Sequence, residues 1–245
     1  MSESNHSSKV ALITGANKGI GLEIARQLGK QGIKVLIGAR DQERRESAAA
    51  SLREQGIDAQ PIALDITDQA SVDAAASDVV SRFGRLDILV NNAGIVRDKV
   101  PPSQLDIALF RETYETNLFG MFAVTKAMLP LLRKSPAGRI VNLSSGLGSL
   151  THTADPKWPF YAYNAIAYNS SKAAVNALTI SFAKELRETP IKVNSADPGY
   201  VATDLNGHRG PRTVEQGATA PVRLATLPDD GPTGGYFDED GPLPW

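Results

Sequence analysis

Tyr168 and Lys172 stand four residues apart at the start of a segment whose apolar periodicity predicts a helix over about 168–187. On such a helix both side chains share one face, with about 5–6 Å between their Cβ atoms. A phenol has a pKa of about 10, and an ammonium group about 5 Å away contributes roughly 3 kcal/mol towards lowering it at an effective dielectric near 20. The pair is therefore a candidate general acid–base for alcohol and carbonyl chemistry.

The same spacing also has a purely structural interpretation, because a half-buried tyrosine beside a solvated lysine is a common arrangement on helices. Tyr161 and Tyr163 stand close by, but the positions four residues after them are Ala165 and Ala167. Of these three tyrosines, Tyr168 alone has a cation on its own helical face.

A glycine-rich turn follows the first predicted strand and opens the first predicted helix. The strand is Val10–Thr14, the turn has the spacing Gly15-x-x-x-Gly19-x-Gly21, and the helical pattern covers 22–31. This order indicates the opening of a dinucleotide-binding βαβ unit, although the spacing differs from Gly-x-Gly-x-x-Gly. Glycines let the backbone approach a pyrophosphate, and a helix N-terminus offers that anion amide groups and partial positive charge.

The end of the second predicted strand, 34–38, carries a base where an acid is the usual partner of NAD. An acid here accepts hydrogen bonds from the adenosine ribose. Arg40 stands at this point, and Lys18 lies in the glycine-rich turn. Two cations favour the 2′-phosphate of NADP, which a carboxylate would repel. In the alternative interpretation Arg40 is a solvated residue at the start of the next helix, and Asp41 binds the ribose.

The remaining chain alternates between helical and strand patterns. Helices are predicted at 42–55, 68–83, 107–133 and 213–226, and the third of these is expected to be interrupted or bent near Gly120. Strands are predicted at 59–64, 86–90, 139–143, 191–196 and 234–237. This order predicts an α/β fold, a Rossmann-type doubly wound sheet of about seven parallel strands flanked by helices on both faces. Ligands of such sheets bind at the carboxyl ends of the strands. The segment 146–167 is expected to be an aromatic-rich loop.

The composition points to a globular protein of one domain. The chain has 245 residues with a net charge of -1 and no cysteine. We expect one domain over 9–245 after a disordered polar tail, 1–8, and a cytoplasmic location. No basic cluster or long apolar run suggests a nucleic-acid or membrane partner. The histidines lack ligand spacing, so no metal site is predicted.

Motifs along nearly the whole chain resemble the short-chain dehydrogenase/reductase family. In order they are Thr14-Gly15-x-x-x-Gly19-x-Gly21, Asp65, Asn91-Asn92-Ala93-Gly94, Asn117, Ser145, Tyr168-x-x-x-Lys172 and Pro198-Gly199-x-Val201-x-Thr203. Each motif alone is weak, but their joint order and spacing are specific. The glycine-rich turn, the Ala39-Arg40-Asp41 turn and the terminal Trp245 resemble most strongly the NADPH-dependent carbonyl reductase branch.

The resemblance implies roles for four catalytic residues. Tyr168 would be the proton donor in reduction. Lys172 would bind the nicotinamide ribose and lower the pKa of the phenol. Ser145 would orient the substrate carbonyl, with Ser144 in a supporting role, and Asn117 would hold the water of a proton relay through Lys172.

The resemblance also implies a set of cofactor contacts. Asp65 and Ile66 would contact the adenine, and Val201 and Thr203 the carboxamide. The full set expected to bind NADPH or NADP is Gly15, Asn17, Lys18, Gly19, Ile20, Gly21, Arg40, Asp65, Ile66, Asn91, Ala93, Gly94, Tyr168, Lys172, Pro198, Gly199, Val201 and Thr203.

These roles predict an NADPH-dependent oxidoreductase that reduces a ketone or aldehyde carbonyl, a small-molecule substrate, to an alcohol. One alternative is an alcohol or hydroxysteroid dehydrogenase that works oxidatively with NAD or NADP. A second is a dinucleotide-sensing protein without catalysis. The segment between Ser145 and Tyr168 is longer than is usual in the family, which leaves substrate size open, as well as the choice between a monomer and a homo-oligomer.

Overall fold

The computed structural model describes residues 9–98 and 100–245, so the predicted tail 1–8 lies outside the described residues. Seven strands form one parallel sheet in the order β3-β2-β1-β4-β5-β6-β7. The strands are β1 (Val10–Thr14), β2 (Lys34–Ala39), β3 (Ala59–Ala63), β4 (Ile88–Asn91), β5 (Arg139–Leu143), β6 (Lys192–Ala196) and β7 (Tyr236–Phe237). The predicted α/β class and sheet are confirmed.

The described part of the chain contains eight α-helices. They are α1 (Gly19–Lys30), α2 (Gln42–Glu54), α3 (Gln69–Phe83), α4 (Ile107–Tyr114), α5 (Met121–Leu132), α6 (Leu150–Ala154), α7 (Ile166–Glu185) and α8 (Val214–Ala225). In this same part of the chain no helix has both the length and the hydropathy required to cross a bilayer.

Neighbouring residues of β1 point to opposite faces and so build two separate cores. Ile13 packs with residues of α1, α2 and α8. Leu12 packs with residues of α3, α5 and α7. Both side chains are fully buried, and each such burial contributes about 1.5–3 kcal/mol. The two layers hold the sheet rigid, and with it the edge where the strands end.

The strand order reverses beside β1, because the chain leaves β3 at one edge of the sheet and returns to the other side of β1 as β4. The connections after β1 and β4 therefore diverge above and below the sheet and leave a crevice at its carboxyl edge. All five residues of β1 and all four of β4 are buried, as strands covered on both faces require.

The helix predicted over 107–133 is interrupted by a π-helical segment, Glu115–Gly120, between α4 and α5. Gly120 lies against the loop after β3, where a Cβ atom would stand 2.7 Å from the backbone oxygen of Ile66. The segment turns Asn117 inward, where it is 2% exposed. A π-bulge in a helix often marks a functional position.

The expectation of an irregular loop over 146–167 is wrong in two places. A 3₁₀ turn, Gly146–Gly148, leads into the five-residue helix α6, which Ser149 caps by accepting a hydrogen bond from the amide of His152 at 3.1 Å. Helix α7 also begins at Ile166, before the predicted start. A helix as short as α6 shows no apolar period, and Ala165 at the N-cap of α7 gives no capping signal.

Candidate active site and dinucleotide cleft

A cleft of about 770 Å³ runs along the carboxyl edge of the sheet. Most of the predicted cofactor residues line it, and they come from the turns after β1, β2, β3, β4 and β6 and from α7. They are Gly15, Asn17, Lys18, Gly19, Ile20, Gly21, Arg40, Asp65, Ile66, Ala93, Gly94, Tyr168, Lys172, Pro198 and Thr203. The fold thus brings residues from both halves of the chain to one groove.

The glycine-rich turn has the backbone shape that a pyrophosphate needs. Gly15 and Gly19 have φ of 64° and 57°, in the left-handed region that favours glycine. A Cβ atom at Gly21 would stand 2.4 Å from Asn92 Nδ2 and 2.7 Å from the oxygen of Gly15. The N-cap of α1 is Lys18, which offers its amides no side-chain acceptor. Bare glycine backbone and uncapped amides fit a bound phosphate.

The turn is fastened to the end of β4 by hydrogen bonds. Asn92 donates its amide to Thr14 Oγ1 at 3.0 Å and its Nδ2 to the oxygens of Thr14 and Gly15 at 2.8 and 3.2 Å. The amide of Ala93 also donates to Thr14 Oγ1, at 3.0 Å. These bonds fix the floor of the cleft, a role that sequence reasoning did not assign to Asn92.

The side chain of Asn91 does not line the cleft, and the predicted contact of this residue with the cofactor stays a prediction. It is 4% exposed and donates inside the sheet to Thr125 Oγ1 at 2.9 Å and to Asn142 Oδ1 at 2.8 Å. These bonds link β4 to β5 and α5, so only the backbone of Asn91 remains available to a ligand.

Gly199 and Val201 also lie outside the lining of the cleft and shape the turn after β6. Gly199 has φ of 75°, and a Cβ atom there would stand 2.7 Å from Arg212 Cδ. Val201 is 3% exposed and forms a β-bridge with Arg212. A Cβ atom at Gly217 would approach Val201 Cγ2 to 2.6 Å. The two predicted residues therefore position Thr203 at the cleft.

The adenosine end of the cleft is rich in cations. Arg40 is exposed there, while Asp41 caps α2 by accepting the amide of Arg44 at 2.9 Å. Arg44 also lines the cleft, and its place in the first helical turn gave no sequence signal. Although burial opposes it, hydrogen bonds from Thr67 and the charge of Arg40 lower the pKa of Asp65.

Lys18 is paired across the mouth of the cleft. Its Nζ lies 2.5 Å from Asp204 Oδ2, and His208 Nε2 lies 2.8 Å from Asp204 Oδ1. The hydrogen bond from Lys18, followed by that of His208, lowers the pKa of Asp204. His208 has φ of 60°, an uncommon value for a residue with a side chain. The three residues join the glycine-rich turn to the loop after β6.

At the other end of the cleft, Tyr168 and Lys172 are 8% and 5% exposed. Lys172 Nζ lies 5.6 Å from the centre of the Tyr168 ring and donates to the backbone oxygen of Leu143 at 2.7 Å. The Ser145 side chain lies close enough to the Tyr168 hydroxyl to act on the pKa of the phenol. The predicted serine, tyrosine and lysine therefore meet at one point.

Burial is the largest influence on the pKa values of Tyr168 and Lys172. It lowers the pKa of Lys172 to about 8, an effect that the charge of Asp197 opposes. It raises the pKa of Tyr168, while the neighbouring Ser145 side chain acts to lower that pKa and the charges of Asp197 and Tyr163 act to raise it further. The expected lowering of the phenol's pKa by Lys172 stays a prediction, because burial is the largest influence on that pKa within the chain itself.

The Asn117 side chain ties a loop to α7. It accepts the amide of Ile95 at 2.8 Å and donates to the oxygen of Ile95 at 2.9 Å and to Ser171 Oγ at 3.0 Å. Both donor hydrogens of its side-chain amide are therefore in use, and the predicted role of Asn117 in a proton relay stays a prediction. Asn117 Oδ1 and Lys172 Nζ approach the same side of Gly94, at 3.3 and 3.5 Å from a Cβ built there.

Asp197, at the end of β6, is a site residue that sequence reasoning missed. Its carboxylate accepts the amide of Gly199 at 2.9 Å, and a Cβ atom built at Gly146, next to Ser145, would stand 3.1 Å from its Oδ2. Burial raises its pKa, and its charge acts on Tyr168 and Lys172. The sequence signal was an acid directly before the Pro198-Gly199 turn.

An aromatic row borders the site on the side of Ser145. Ring centres lie 5.4 Å apart between His152 and Trp158, 5.3 Å between Trp158 and Phe160, and 5.9 Å between Phe160 and Tyr200. A Cβ atom built at Gly146 would lie 3.2 Å from Trp158. The row joins the loops after β5 and β6 and offers an apolar rim.

Comparison with known sequences agrees with this geometry. The family described as short chain dehydrogenase matches residues 9–213. The short-chain dehydrogenase anuI of Penicillium roqueforti is 40% identical over 223 residues, 89% of this chain and 88% of its own. The (-)-isopiperitenone reductase of Mentha piperita is 33% identical over 314 residues, 96% of this chain and 98% of its own.

Solved structures show the same architecture. The NADPH-bound carbonyl reductase from chicken fatty liver superposes with a TM-score of 0.85 at 29% identity, covering 97% of this chain and 99% of that one. Salutaridine reductase from Papaver somniferum gives a TM-score of 0.82 at 30% identity, covering 94% of this chain and 99% of that one.

Proposed function

The chain belongs to the short-chain dehydrogenase family of oxidoreductases, and we propose that it uses NADPH to reduce a ketone or aldehyde to an alcohol. The observation that carries this proposal is the meeting of three groups at one end of the cleft. Ser145 lies beside the Tyr168 hydroxyl, and the oxygen of Leu143 holds Lys172 beside the Tyr168 ring.

The residues that line the cleft fit a nicotinamide dinucleotide, and we assign it the NADP form. The glycine-rich turn would hold the pyrophosphate, and Thr203 and Pro198 would lie at the nicotinamide. Arg40, Arg44 and Lys18 would surround the 2′-phosphate. Bound in this cleft, NADPH supplies a hydride to the carbonyl carbon.

The preference for NADP over NAD rests on the acids and bases at the end of β2. A ribose-binding acid is expected there in an NAD enzyme, but Asp41 uses its carboxylate to cap α2. Arg40 and Arg44 both line the cleft at this point. The NADPH in the structure from chicken fatty liver supports the same assignment.

The protein's own groups would move a proton and stabilise charge. Ser145 would hold the substrate oxygen beside Tyr168, whose phenolic proton passes to that oxygen as the alcohol forms. Because burial raises the pKa of Tyr168, the phenol is protonated near neutral pH and holds the proton that the alcohol product requires. The Lys172 ammonium, fixed on Leu143, would stabilise the phenolate that remains.

The substrate is proposed to be a small molecule with an apolar body. The row of His152, Trp158, Phe160 and Tyr200 borders the Ser145 side of the site, and aromatic surfaces bind apolar groups without requiring charge. The relatives named as reductases of isopiperitenone and salutaridine are in keeping with a carbonyl compound of this kind.

The proposal is tested by initial rates with a panel of aryl and alicyclic ketones, followed by the loss of NADPH absorbance, with NADH in parallel. We expect turnover with NADPH and a much weaker rate with NADH. A preference for NADH would defeat the assignment of Arg40 and favour the oxidative alternative. Tight binding of NADPH without turnover of any carbonyl compound would favour a sensing protein.

A further inference from the structure

Helix α7 carries Tyr168 and Lys172, yet its N-cap residue, Ala165, has no side-chain acceptor. The first amides of a helix have no partner within the helix. Here two of them belong to residues that exclude water, since Ala167 is 0% and Tyr168 8% exposed. Their hydrogen bonds must therefore come from another part of the fold.

Asp98 supplies both bonds from a segment far away in sequence. Its Oδ2 accepts the amide of Ala167 at 2.7 Å, and its Oδ1 accepts the amide of Tyr168 at 3.2 Å. A carboxylate that accepts amides at a helix N-terminus makes charge-assisted bonds and complements the helix dipole. One side chain thus completes the start of the helix at the predicted proton donor.

The same segment is fixed to α7 a second time. Ile95 exchanges two backbone hydrogen bonds with the Asn117 side chain, which also donates to Ser171 Oγ at 3.0 Å. Ser171 Oγ in turn donates to the backbone oxygen of Tyr168 at 2.7 Å. The amide and the carbonyl of Tyr168 are therefore both held by one closed network that runs through the loop after β4.

We infer that Asp98 is a positioning residue for the proposed reaction, in which its carboxylate fixes the backbone of Tyr168 so that the phenol meets the substrate oxygen beside Ser145. This inference rests on the proposed function, because proton transfer from Tyr168 is the step that a fixed backbone serves. A misplacement of about 1 Å costs roughly a hundredfold in rate. Loss of the cap is therefore expected to lower kcat more than it weakens cofactor binding.

The test compares Asp98→Ala and Asp98→Asn with a matched control, Asp106→Ala. Asp106 caps α4 in the same manner, accepting the amide of Ala108 at 2.7 Å, but lies on the surface. We expect Asp98→Ala to lower kcat for ketone reduction roughly ten- to a hundredfold with little change in the KM for NADPH. Asp98→Asn should recover part of kcat, because it keeps one acceptor oxygen. Asp106→Ala should leave kcat unchanged.

Amide hydrogen exchange of the peptide 165–171 measures the protection that Asp98 gives to the first amides of α7, and it does not depend on activity. In Asp98→Ala the exchange of this peptide should accelerate while that of β1 stays unchanged. Unaltered exchange would overturn the capping role, and faster exchange with the kcat of the unmodified protein would overturn the positioning role. Unmodified protein that binds NADPH but turns over no ketone would defeat the proposed function, and the exchange data would still decide the capping.

Discussion

Lys18 Nζ and Asp204 Oδ2 lie 2.5 Å apart across the mouth of the dinucleotide cleft and join the glycine-rich turn to the loop after β6. Both side chains are 55% exposed, so solvent screens the pair and its contribution to stability is small. The pair matters for cofactor binding, because the cation proposed to bind the 2′-phosphate already has a carboxylate partner, Asp204.

Asp204→Asn is expected to strengthen NADPH binding. The substitution removes the charge that competes with the 2′-phosphate for Lys18, so the KM for NADPH should fall roughly two- to threefold while that for NADH stays constant. Initial rates at varied cofactor concentration measure both values. The control is Asp78→Asn, which breaks the surface pair with Arg82 on α3. An equal change with NADH would show that Lys18 does not face the phosphate.

Arg44→Ala is expected to weaken NADPH binding selectively. A hydrogen bond to a charged group is worth about 1.5–3 kcal/mol, so the KM for NADPH should rise about tenfold or more, with that for NADH nearly unchanged. Arg53→Ala, on the last turn of the same helix, is the matched control. If Arg44→Ala behaves like that control, Arg44 has no part in cofactor selection.

The rate of reduction should fall as the pH rises through about 8, the pKa of Lys172. The reaction uses the charged lysine, while burial keeps Tyr168 protonated over the same range. A pH profile of kcat/KM, which reports the free enzyme, measures this fall in rate on its alkaline limb.

The contribution of Lys172 to the free energy of unfolding changes in the opposite direction. Between pH 8 or so and the ordinary pKa of 10.5, Lys172 binds a proton in the unfolded chain and lacks it in the folded one, so its contribution to stability rises with pH.

Asp197→Asn should move that alkaline limb to lower pH. The carboxylate of Asp197 favours the charged form of Lys172, and asparagine can still accept an amide hydrogen bond without the charge. The same kcat/KM profile, recorded for both proteins, shows the displacement. A limb that stays in place or moves to higher pH would mean that Lys172 is not the group that titrates.

Gly21→Ala should destabilise the fold and impair cofactor binding together. The added methyl group would overlap Asn92 Nδ2 and the oxygen of Gly15, and overpacking of this kind costs about 1–3 kcal/mol. We expect the melting temperature to fall by roughly 3–10 °C and NADPH to raise it less than in the unmodified protein. An unchanged melting temperature and unchanged NADPH binding would show that the turn has room to adjust.

Much of the fold followed from local patterns. The strands β1 and β2 contain continuous apolar runs because both faces of the sheet are covered, and such runs are visible in the sequence. The helix that carries Tyr168 and Lys172 was predicted from its periodicity, and their face-sharing geometry followed from helical spacing. These features depend on residues that are neighbours along the chain.

The parts that escaped prediction depend on contacts between distant residues. Asp98 caps a helix that begins at Ile166, and nothing near either position signals the partner. Of two adjacent asparagines, Asn91 points into the sheet and Asn92 bonds to the glycine-rich turn. Which way each side chain points depends on where β4 ends, and the sequence did not fix that residue. The titration of Tyr168 depends on burial, which one-dimensional spacing does not report.

The most direct test of Tyr168 as the general acid is the kcat for NADPH-dependent ketone reduction by Tyr168→Phe, with NADPH affinity measured in parallel. Loss of the proton donor should lower kcat roughly a hundred- to ten-thousandfold and leave the affinity within about twofold. Tyr114→Phe, on α4 outside the cleft, should match the unmodified protein. A Tyr168→Phe variant that reduces the ketone as fast as the unmodified protein would contradict the assignment of Tyr168 as the general acid.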